Sequence, residues 1–323
     1  MTPHPAFDHV HAQRSAVQIL SRAVATERIA SAYLFDGPSG VGKELAAMAL
    51  AKAALAGQGE KALHRIDEGA HPDVRIFRPR DDGHRNLRVE TLREEILPYA
   101  EFAPFEAPMA FLIFSEADVS FPENHPESAN ALLKTLEEPK AGVTFILLAE
   151  RPDRLLPTIR SRCQRVRFNP LPLETLIALL QERGVTEGSA RAAAALAGGR
   201  ADRALALSED GAADALLALA EEVDAAASRG GPGALLDAAE RLAKHDDLPL
   251  ALDGLALYYR DLSRLDLGLP PVAFDGARLE RRVSAATAAA RTELLREAAA
   301  DLARNGNKQV VLDAMLYRMR RAR

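Results

Sequence analysis

The sequence predicts an α/β domain built on a parallel sheet, followed by segments that are entirely helical. Short apolar segments alternate with helical ones as far as Phe168, and the first of them leads into a glycine-rich loop. No strand pattern follows Phe168, where prolines, glycines and alanine-rich helical segments take over. At about 100–200 residues per domain, the 323 residues suffice for two or three domains. We expect a P-loop α/β domain over 1–168, a small helical domain over 169–208 and a helical bundle over 209–323.

Four short segments are predicted as strands, and each is dominated by apolar residues. Such segments are typical of strands that are buried on both faces of a parallel sheet. Helices are predicted before or between the strands, because apolar residues recur there at helical spacing. The predicted strands are 32–35, 74–77, 109–114 and 144–148, and the predicted helices are 17–25, 44–55, 91–99 and 130–136. This alternation predicts one sheet with helices on both sides.

Composition excludes several classes of protein. The chain carries 41 basic and 46 acidic side chains, a net charge of −5, so it lacks the positive field of a protein that wraps nucleic acid. Its single cysteine, Cys163, can form neither an internal disulfide nor a thiolate zinc cage, so we expect no structural zinc and a reducing compartment. No secretory or membrane-spanning segment is evident, and we therefore expect a cytoplasmic chain with no membrane partner.

The loop after the first predicted strand matches a phosphate-binding pattern. Gly37, Gly40 and Gly42 would let backbone N–H groups converge on phosphate oxygens at a helix N-terminus. Lys43 would reach the β and γ phosphates. The alternative is a tight strand-to-helix turn with a solvated lysine. The flanking strand and helix favour the phosphate loop, because this motif has meaning only in that context.

Three departures weaken the motif as a hydrolytic site. Glu44 stands where a Ser or Thr hydroxyl would help to hold Mg²⁺, and it could instead pair with Lys43 or occupy the helix end. The third strand ends in Ser115 and Glu116, so the metal-binding carboxylate is missing. Glu116 fits a catalytic role and an acidic surface turn equally well. The fourth strand ends in Ala149 and Glu150 rather than in a polar Thr or Asn. We expect weak or absent ATP binding, no required cofactor and no bound metal.

Four motifs together resemble a known family. They are AYLFDGPSGVGK over 32–43, HPD over 71–73, ANALLKTLEEP over 129–139 and LPTIRSRCQ over 156–164. These segments resemble the δ′ subunit family of the bacterial DNA polymerase III clamp loader, within the AAA+ ATPases, and the likeness continues weakly over 255–262. The resemblance implies a AAA+ fold, a helical lid over 169–208 and an oligomerising collar over 209–323. It implies as partners the γ/τ ATPase subunits and the δ subunit and, through the complex, the sliding clamp and primer-template DNA.

The resemblance also assigns a role to one arginine. In that family the Ser-Arg-Cys motif carries an arginine finger that reaches ATP on the neighbouring subunit, and the matching residue here is Arg162. A guanidinium inserted in trans stabilises the charge that develops on the transferred phosphoryl group. From spacing alone, Arg162 is equally well one member of a basic surface that is solvated or faces nucleic acid. That run comprises Arg151, Arg154, Arg160, Arg162, Arg165 and Arg167.

Two features depart from the family pattern. Many relatives carry a four-cysteine zinc module after the first P-loop helix, but the segment 57–71 has no cysteine, and His64 and His71 cannot form that site alone. Hydrolysing members carry an arginine in the lid, whereas the best alignment puts Asp202 there, between Arg200 and Arg203.

These observations favour a stator subunit that does not hydrolyse ATP and supplies Arg162 to a neighbouring ATPase. The alternative is an ATP-hydrolysing clamp-loader subunit of the γ/τ type, in which Glu44 would replace the metal-binding hydroxyl. A P-loop kinase or another metabolic enzyme would leave the helical half of the chain unexplained.

Overall fold

The computed structural model describes residues 3–79, 87–122, 126–209, 211–276, 279, 283–304 and 306–322. The chain divides into two compact units, Met1–Leu171 and Pro172–Arg323. The predicted division into three domains, 1–168, 169–208 and 209–323, stays a prediction.

A parallel sheet lies at the centre of the first unit, and five of its strands fall within the described residues. They are β1 (Ala32–Asp36), β2 (Val74–Phe77), β3 (Ala110–Phe114), β4 (Val143–Ala149) and β5 (Gln164–Arg167). Their order across the sheet is β2-β3-β4-β1-β5, and every pairing is parallel. In this register Phe35 of β1 lies between Leu148 and Val166. The order places the end of β1, and the P-loop that follows it, next to the ends of β4 and β5.

Both faces of the sheet are buried, as the apolar strands predict. Tyr33 and Phe35 of β1 pack into one hydrophobic cluster, and Ala32 and Leu34 pack into a second cluster. Side chains alternate across a strand, so two clusters on one strand require cover on both faces. The prediction of a parallel sheet with helices on both sides is therefore confirmed.

The helices of the first unit fill these two clusters. They are α1 (Arg14–Ala25), α2 (Lys43–Ala54), α3 (Glu60–Asp67), α4 (Val89–Thr91), α5 (Pro98–Glu101), α6 (Ala117–Ser120), α7 (Pro126–Glu137) and α8 (Pro157–Arg162). A π-helical turn, Leu92–Ile96, lies between α4 and α5. The helix predicted over 91–99 is therefore broken into short pieces. Pro98 begins α5, because proline has no backbone N–H to continue a preceding helix.

One strand, β5, was not predicted from the sequence. Only Val166 is buried in this strand, while Gln164, Arg165 and Arg167 are exposed. A polar strand of four residues lacks the apolar run that marked the other four strands. Its arginines therefore looked like part of a basic surface segment. Its position at an edge of the sheet explains why polar side chains are tolerated there.

The second unit is helical throughout its described residues. Its helices are α9 (Leu173–Gln181), α10 (Glu187–Leu196), α11 (Ala201–Ser208), α12 (Ala212–Arg229), α13 (Pro232–Ala243), α14 (Leu248–Asp266), α15 (Ala285–Ala303) and α16 (Lys308–Arg321). Apolar residues of these helices, such as Leu255, Leu262 and Leu316, are buried. Across the described parts of both units, no helix is long and apolar enough to span a bilayer.

One ion pair is buried between helices of the second unit. Arg291 of α15 donates from Nη1 to Asp224 Oδ1 of α12 at 2.5 Å and to Ser228 Oγ at 3.0 Å. The same guanidinium lies over the ring of Tyr259 on α14. The Arg291 and Asp224 side chains are 4% and 0% exposed. Burial raises the pKa of the Tyr259 hydroxyl, and the charge of Asp224 raises it further. This cluster joins three helices of the unit.

Candidate functional site

The backbone geometry of the P-loop requires glycine at three positions. A Cβ on Gly37 would lie 2.3 Å from the carbonyl oxygen of Phe168, so the chain leaving β5 can pass only against a glycine. Gly40 and Gly42 have φ angles of 67° and 95°, in the left-handed region, and Gly42 caps the N-terminus of α2. The glycine spacing thus serves the turn itself as well as any phosphate group.

The P-loop lysine is bound by its own loop. Lys43 Nζ donates to the carbonyl oxygens of Gly37 at 2.6 Å and Pro38 at 2.5 Å. The expected alternative of a solvated lysine does not describe this arrangement. A phosphate group could engage Lys43 only by displacing these two backbone acceptors or by sharing the ammonium with them.

The two positions that would hold a metal are bonded to each other. Ser115 Oγ, at the end of β3, donates to Glu44 Oε2 at 2.8 Å. Arg78, just after β2, donates from Nη2 to Glu44 Oε1 at 2.7 Å. Glu44 therefore pairs with Arg78 and Ser115 rather than with Lys43, which had been one of the expected partners. Hydrolysing P-loop proteins place the hydroxyl on the helix and the carboxylate on the strand, and these two groups are exchanged here.

This donor set fits a magnesium–nucleotide poorly. The Glu44 carboxylate adds negative charge at the start of α2, where the phosphates of a nucleotide would lie. Both of its oxygens already accept hydrogen bonds, and its charge is balanced by the Arg78 guanidinium. The geometry is that of a phosphate loop whose charged groups are satisfied within the protein.

Glu116 follows Ser115 in a left-handed backbone conformation, with φ 49° and ψ 49°. Its carbonyl oxygen accepts the N–H groups of Val119 and Ser120, so it starts the short helix α6. Its side chain is exposed. The sequence left a catalytic carboxylate and an acidic turn equally open, and this residue does form the turn that follows the core strand.

Asp118 organises the ends of β3 and β4, although sequence analysis gave it no role. Its buried carboxylate accepts the N–H of Glu150 at 3.2 Å and the N–H of Arg151 at 3.0 Å. These bonds fix the chain just after Ala149, where hydrolysing relatives were expected to carry a polar side chain. The only signal in the sequence was an acidic pair, Glu116 and Asp118, directly after an apolar strand.

Asp36 is the second carboxylate that sequence analysis missed. It ends β1 and is buried, and Arg165 of β5 binds it through both Nε at 3.0 Å and Nη2 at 2.6 Å. The hydrogen bond to Asp36, followed by the attraction between the charges, holds the pKa of Arg165 above its usual value. Arg167 Nε lies 3.7 Å from the same carboxylate. Two arginines of the basic run therefore fix β5 beside the P-loop.

Arg162 is the last residue of α8. Its Nη1 donates to the carbonyl oxygen of Thr158 at 2.9 Å, and its Nη2 donates to Glu137 Oε1 at 2.6 Å. One third of its side chain is exposed. The structure thus gives Arg162 a defined orientation at the surface. Cys163 follows it, and burial raises the pKa of that thiol to about 12.

The HPD motif holds a loop in place. Asp73 is buried, and its carboxylate accepts three consecutive backbone N–H groups, those of Phe105, Glu106 and Ala107, at 2.6–2.9 Å. His71 Nδ1 accepts the N–H of Asp73 at 3.1 Å. This motif therefore has a structural role in the first unit: it fixes the loop over 105–107.

The described residues contain no group of three or more His, Cys, Asp and Glu side chains that could hold a metal ion. His64 lies 3.2 Å from Glu68 one helical turn later, and His71 is engaged by Asp73. The expected absence of zinc stays a prediction. Asp202 of the second unit pairs with Arg200 at 3.1 Å, and its assignment to the lid arginine position likewise stays a prediction.

Comparison with known proteins identifies what the first unit is similar to. A family model described as DNA polymerase III, delta subunit, matches residues 12–172. DNA polymerase III subunit delta' of Bacillus subtilis is 34% identical over 186 residues, which cover 55% of this chain and 54% of the relative. Subunit delta' of Pseudomonas aeruginosa is 34% identical over 151 residues, 44% of each chain. The chain therefore spans about half the length of these curated relatives.

A relative with a different name also matches. DNA polymerase III subunit tau of Bacillus subtilis is 31% identical over 215 residues, 62% of this chain and 37% of the relative. Among solved structures, a DNA polymerase III gamma subunit-related protein of Thermotoga maritima is 19% identical to this chain. The match covers 94% of this chain and 99% of that protein's chain, with a TM-score of 0.45. Neither that identity nor that score supports a conclusion about activity.

Proposed function

We propose that this chain acts as a δ′-like stator. Through residues 12–172 it belongs to the clamp-loader subunit family of DNA polymerase III. In this role the chain does not turn over ATP. It occupies a fixed place in the clamp-loader complex and completes the ATP site of a neighbouring subunit with Arg162. The complex then loads the sliding clamp onto primed DNA.

One observation supports this role above the others: the charged groups of the P-loop are bonded to each other and to backbone. Lys43 is bound to the loop carbonyls, and Glu44 is bound to Ser115 and Arg78. Binding of a magnesium–nucleotide would have to break this network and bring phosphates beside a carboxylate. The network favours a protein that does not hydrolyse ATP at its own P-loop.

Arg162 is the residue that would act on the ATP of the neighbouring subunit. Its guanidinium is fixed at the end of α8 and is partly exposed. In trans it would contact the γ-phosphate of ATP on the neighbour and stabilise the charge that builds up during transfer. Arginine fingers of this kind are worth about 10³ to 10⁵ in rate in other systems.

The partners follow from this role. They are γ/τ-type ATPase subunits and a δ-type subunit, and the clamp and primer-template DNA are reached through the complex. The net charge of −5 agrees with DNA contact that is shared among subunits. The proposal requires no cofactor, no zinc and no membrane.

An ATP-hydrolysing subunit of the γ/τ type remains the second candidate, because tau proteins also match the chain at 31–33% identity. That function requires Glu44 and Ser115 to take each other's roles at a metal ion. It also requires Lys43 to leave the carbonyls of Gly37 and Pro38.

Reconstitution separates the two candidates. DNA-stimulated ATP hydrolysis is measured for γ/τ-type and δ-type subunits of the same organism, with and without this chain. The stator role predicts that adding the chain raises the rate while the pure chain has no turnover. Lys43-dependent turnover by the pure chain would support the second candidate, and no effect on the complex would reject both.

A further inference from the structure

Glu137 is the residue that fixes Arg162, and neither the motifs nor the comparisons assign it a function. It is the last residue of α7, and Arg162 is the last residue of α8. The guanidinium is held from two directions, by Glu137 Oε1 at 2.6 Å and by the Thr158 carbonyl at 2.9 Å. A long side chain with four rotatable bonds is thereby held in one orientation.

Helix stability does not explain a carboxylate at this position. Glu137 lies at the C-terminal end of α7, where the helix dipole disfavours negative charge. Its side chain is half exposed, and exposed ion pairs contribute little to the stability of the folded state. The pair with Arg162 therefore adds little to the stability of the first unit.

The two helices that carry the pair pack into one hydrophobic cluster. Leu132 and Leu136 of α7 and Ile159 of α8 are buried in the same hydrophobic cluster. The two helix ends are thus fixed relative to each other, and the carboxylate holds the guanidinium at a defined place between them.

The guanidinium keeps donors for a ligand while it is held. Arginine carries five N–H groups, and the two bonds described here engage one on Nη1 and one on Nη2. The remaining N–H groups form a planar set that can bind phosphate oxygens. Glu137 can therefore orient Arg162 without blocking it.

We propose that Glu137 is a positioning residue that holds the Arg162 guanidinium in the orientation used on a neighbouring subunit's ATP. This inference rests on the stator role proposed above. Pre-organisation of this kind acts on the chemical step, because the side chain is ordered before the transition state forms. It does not require Glu137 to touch the nucleotide.

The test uses the full chain in the reconstituted complex, with ATP and primed DNA. Glu137→Ala should lower kcat about fivefold, the order expected for losing one exposed charge pair, and leave KM for ATP within about twofold. Glu137→Gln should keep at least about half of the rate, because its amide oxygen still accepts the N–H of Arg162. Glu138→Ala is the matched control, since it removes the neighbouring exposed carboxylate, and should behave as the unmodified chain.

A second measurement combines Glu137→Ala with Arg162→Ala. Adding Glu137→Ala to the Arg162→Ala chain should cause no further loss of the ATP hydrolysis rate. An unchanged or faster rate for Glu137→Ala alone would overturn the inference, as would a further loss in the Arg162→Ala background. If Arg162→Ala itself leaves the rate unchanged, the stator role fails and this inference fails with it. If Arg162→Ala slows the complex and Glu137→Ala does not, only the positioning role fails.

Discussion

Glu44 follows the P-loop lysine at the position where hydrolysing P-loop proteins carry a Ser or Thr hydroxyl. The hydroxyl is present on the adjacent strand instead, as Ser115, and it donates to Glu44 at 2.8 Å. Arg78 supplies the positive charge that balances the carboxylate. At the scale of single residues, the groups at the two metal-binding positions of the motif are bonded to each other and to Arg78.

This arrangement predicts that the pure chain hydrolyses ATP no faster than its Lys43→Ala variant. The lysine is bound to loop carbonyls and the metal position holds a carboxylate that is already paired, so we expect neither group to assist phosphoryl transfer. Steady-state phosphate release by the two purified proteins checks it. A clear Lys43-dependent rate would contradict it.

The thiol of Cys163, next to Arg162 in the chain, gives a pH-dependent prediction. Burial raises the pKa of Cys163 to about 12, so at pH 8 almost all of the thiol is protonated and a poor nucleophile. Alkylation by iodoacetamide should be slow at pH 8 and should rise about tenfold per pH unit between pH 7 and 9, following the thiolate fraction. Mass spectrometry measures the rates. A rate at pH 8 equal to that of a free cysteine peptide would contradict the shift.

The residues of the P-loop are evident in the sequence, but their partners are not. The loss of a hydroxyl at Glu44 and of a carboxylate at Ser115 can be read directly from the motif. The bond from Arg78 to Glu44 spans 34 residues, and the bond from Arg165 to Asp36 spans 129. Pairings over such separations depend on the order of strands in the sheet, which the local pattern does not specify.

At the scale of elements, the same limit explains the missed strand. β1, β3 and β4 are dominated by apolar residues because both of their faces are buried, and hydrophobicity alone marks them. β5 lies at the edge, so one buried residue, Val166, is enough to anchor it. The break at 92–98 includes Pro98, which starts a new helix, and apolar periodicity alone takes no account of it.

The buried pair in the second unit predicts a large effect on stability. Arg291→Ala would leave Asp224 charged and unpaired in the core, and breaking such a pair typically costs about 3–5 kcal/mol. The urea midpoint of the second unit, followed by circular dichroism on the full chain, should fall sharply. Arg296→Ala on the same helix is the control, because Arg296 is exposed, and should leave the midpoint nearly unchanged. Equal midpoints for the two variants would contradict the role of the pair.

At the scale of the whole molecule, the helical segment after residue 208 is expected to assemble rather than catalyse. Its apolar positions are buried among helices, and its buried ion pair joins α12 and α15. A chain that ends at residue 208 should not enter the complex with γ/τ-type and δ-type subunits, as measured by gel filtration. A chain that ends at Leu171, the boundary of the first unit, is the folding control. Undiminished incorporation of the 208-residue chain would contradict the assembly role.

Lys43 and Arg162 are proposed to have separate roles, and the rate of clamp loading distinguishes them. The rate of clamp loading onto primed DNA is compared for complexes that contain Arg162→Ala or Lys43→Ala in this chain. We predict that Arg162→Ala lowers the rate at least about tenfold while assembly is intact, because a finger acts only in the transition state. Lys43→Ala should load clamps within about twofold of the unmodified complex, since its ammonium already serves the loop itself. Normal loading by Arg162→Ala together with failure of Lys43→Ala would contradict the account and reverse the roles of the two sites.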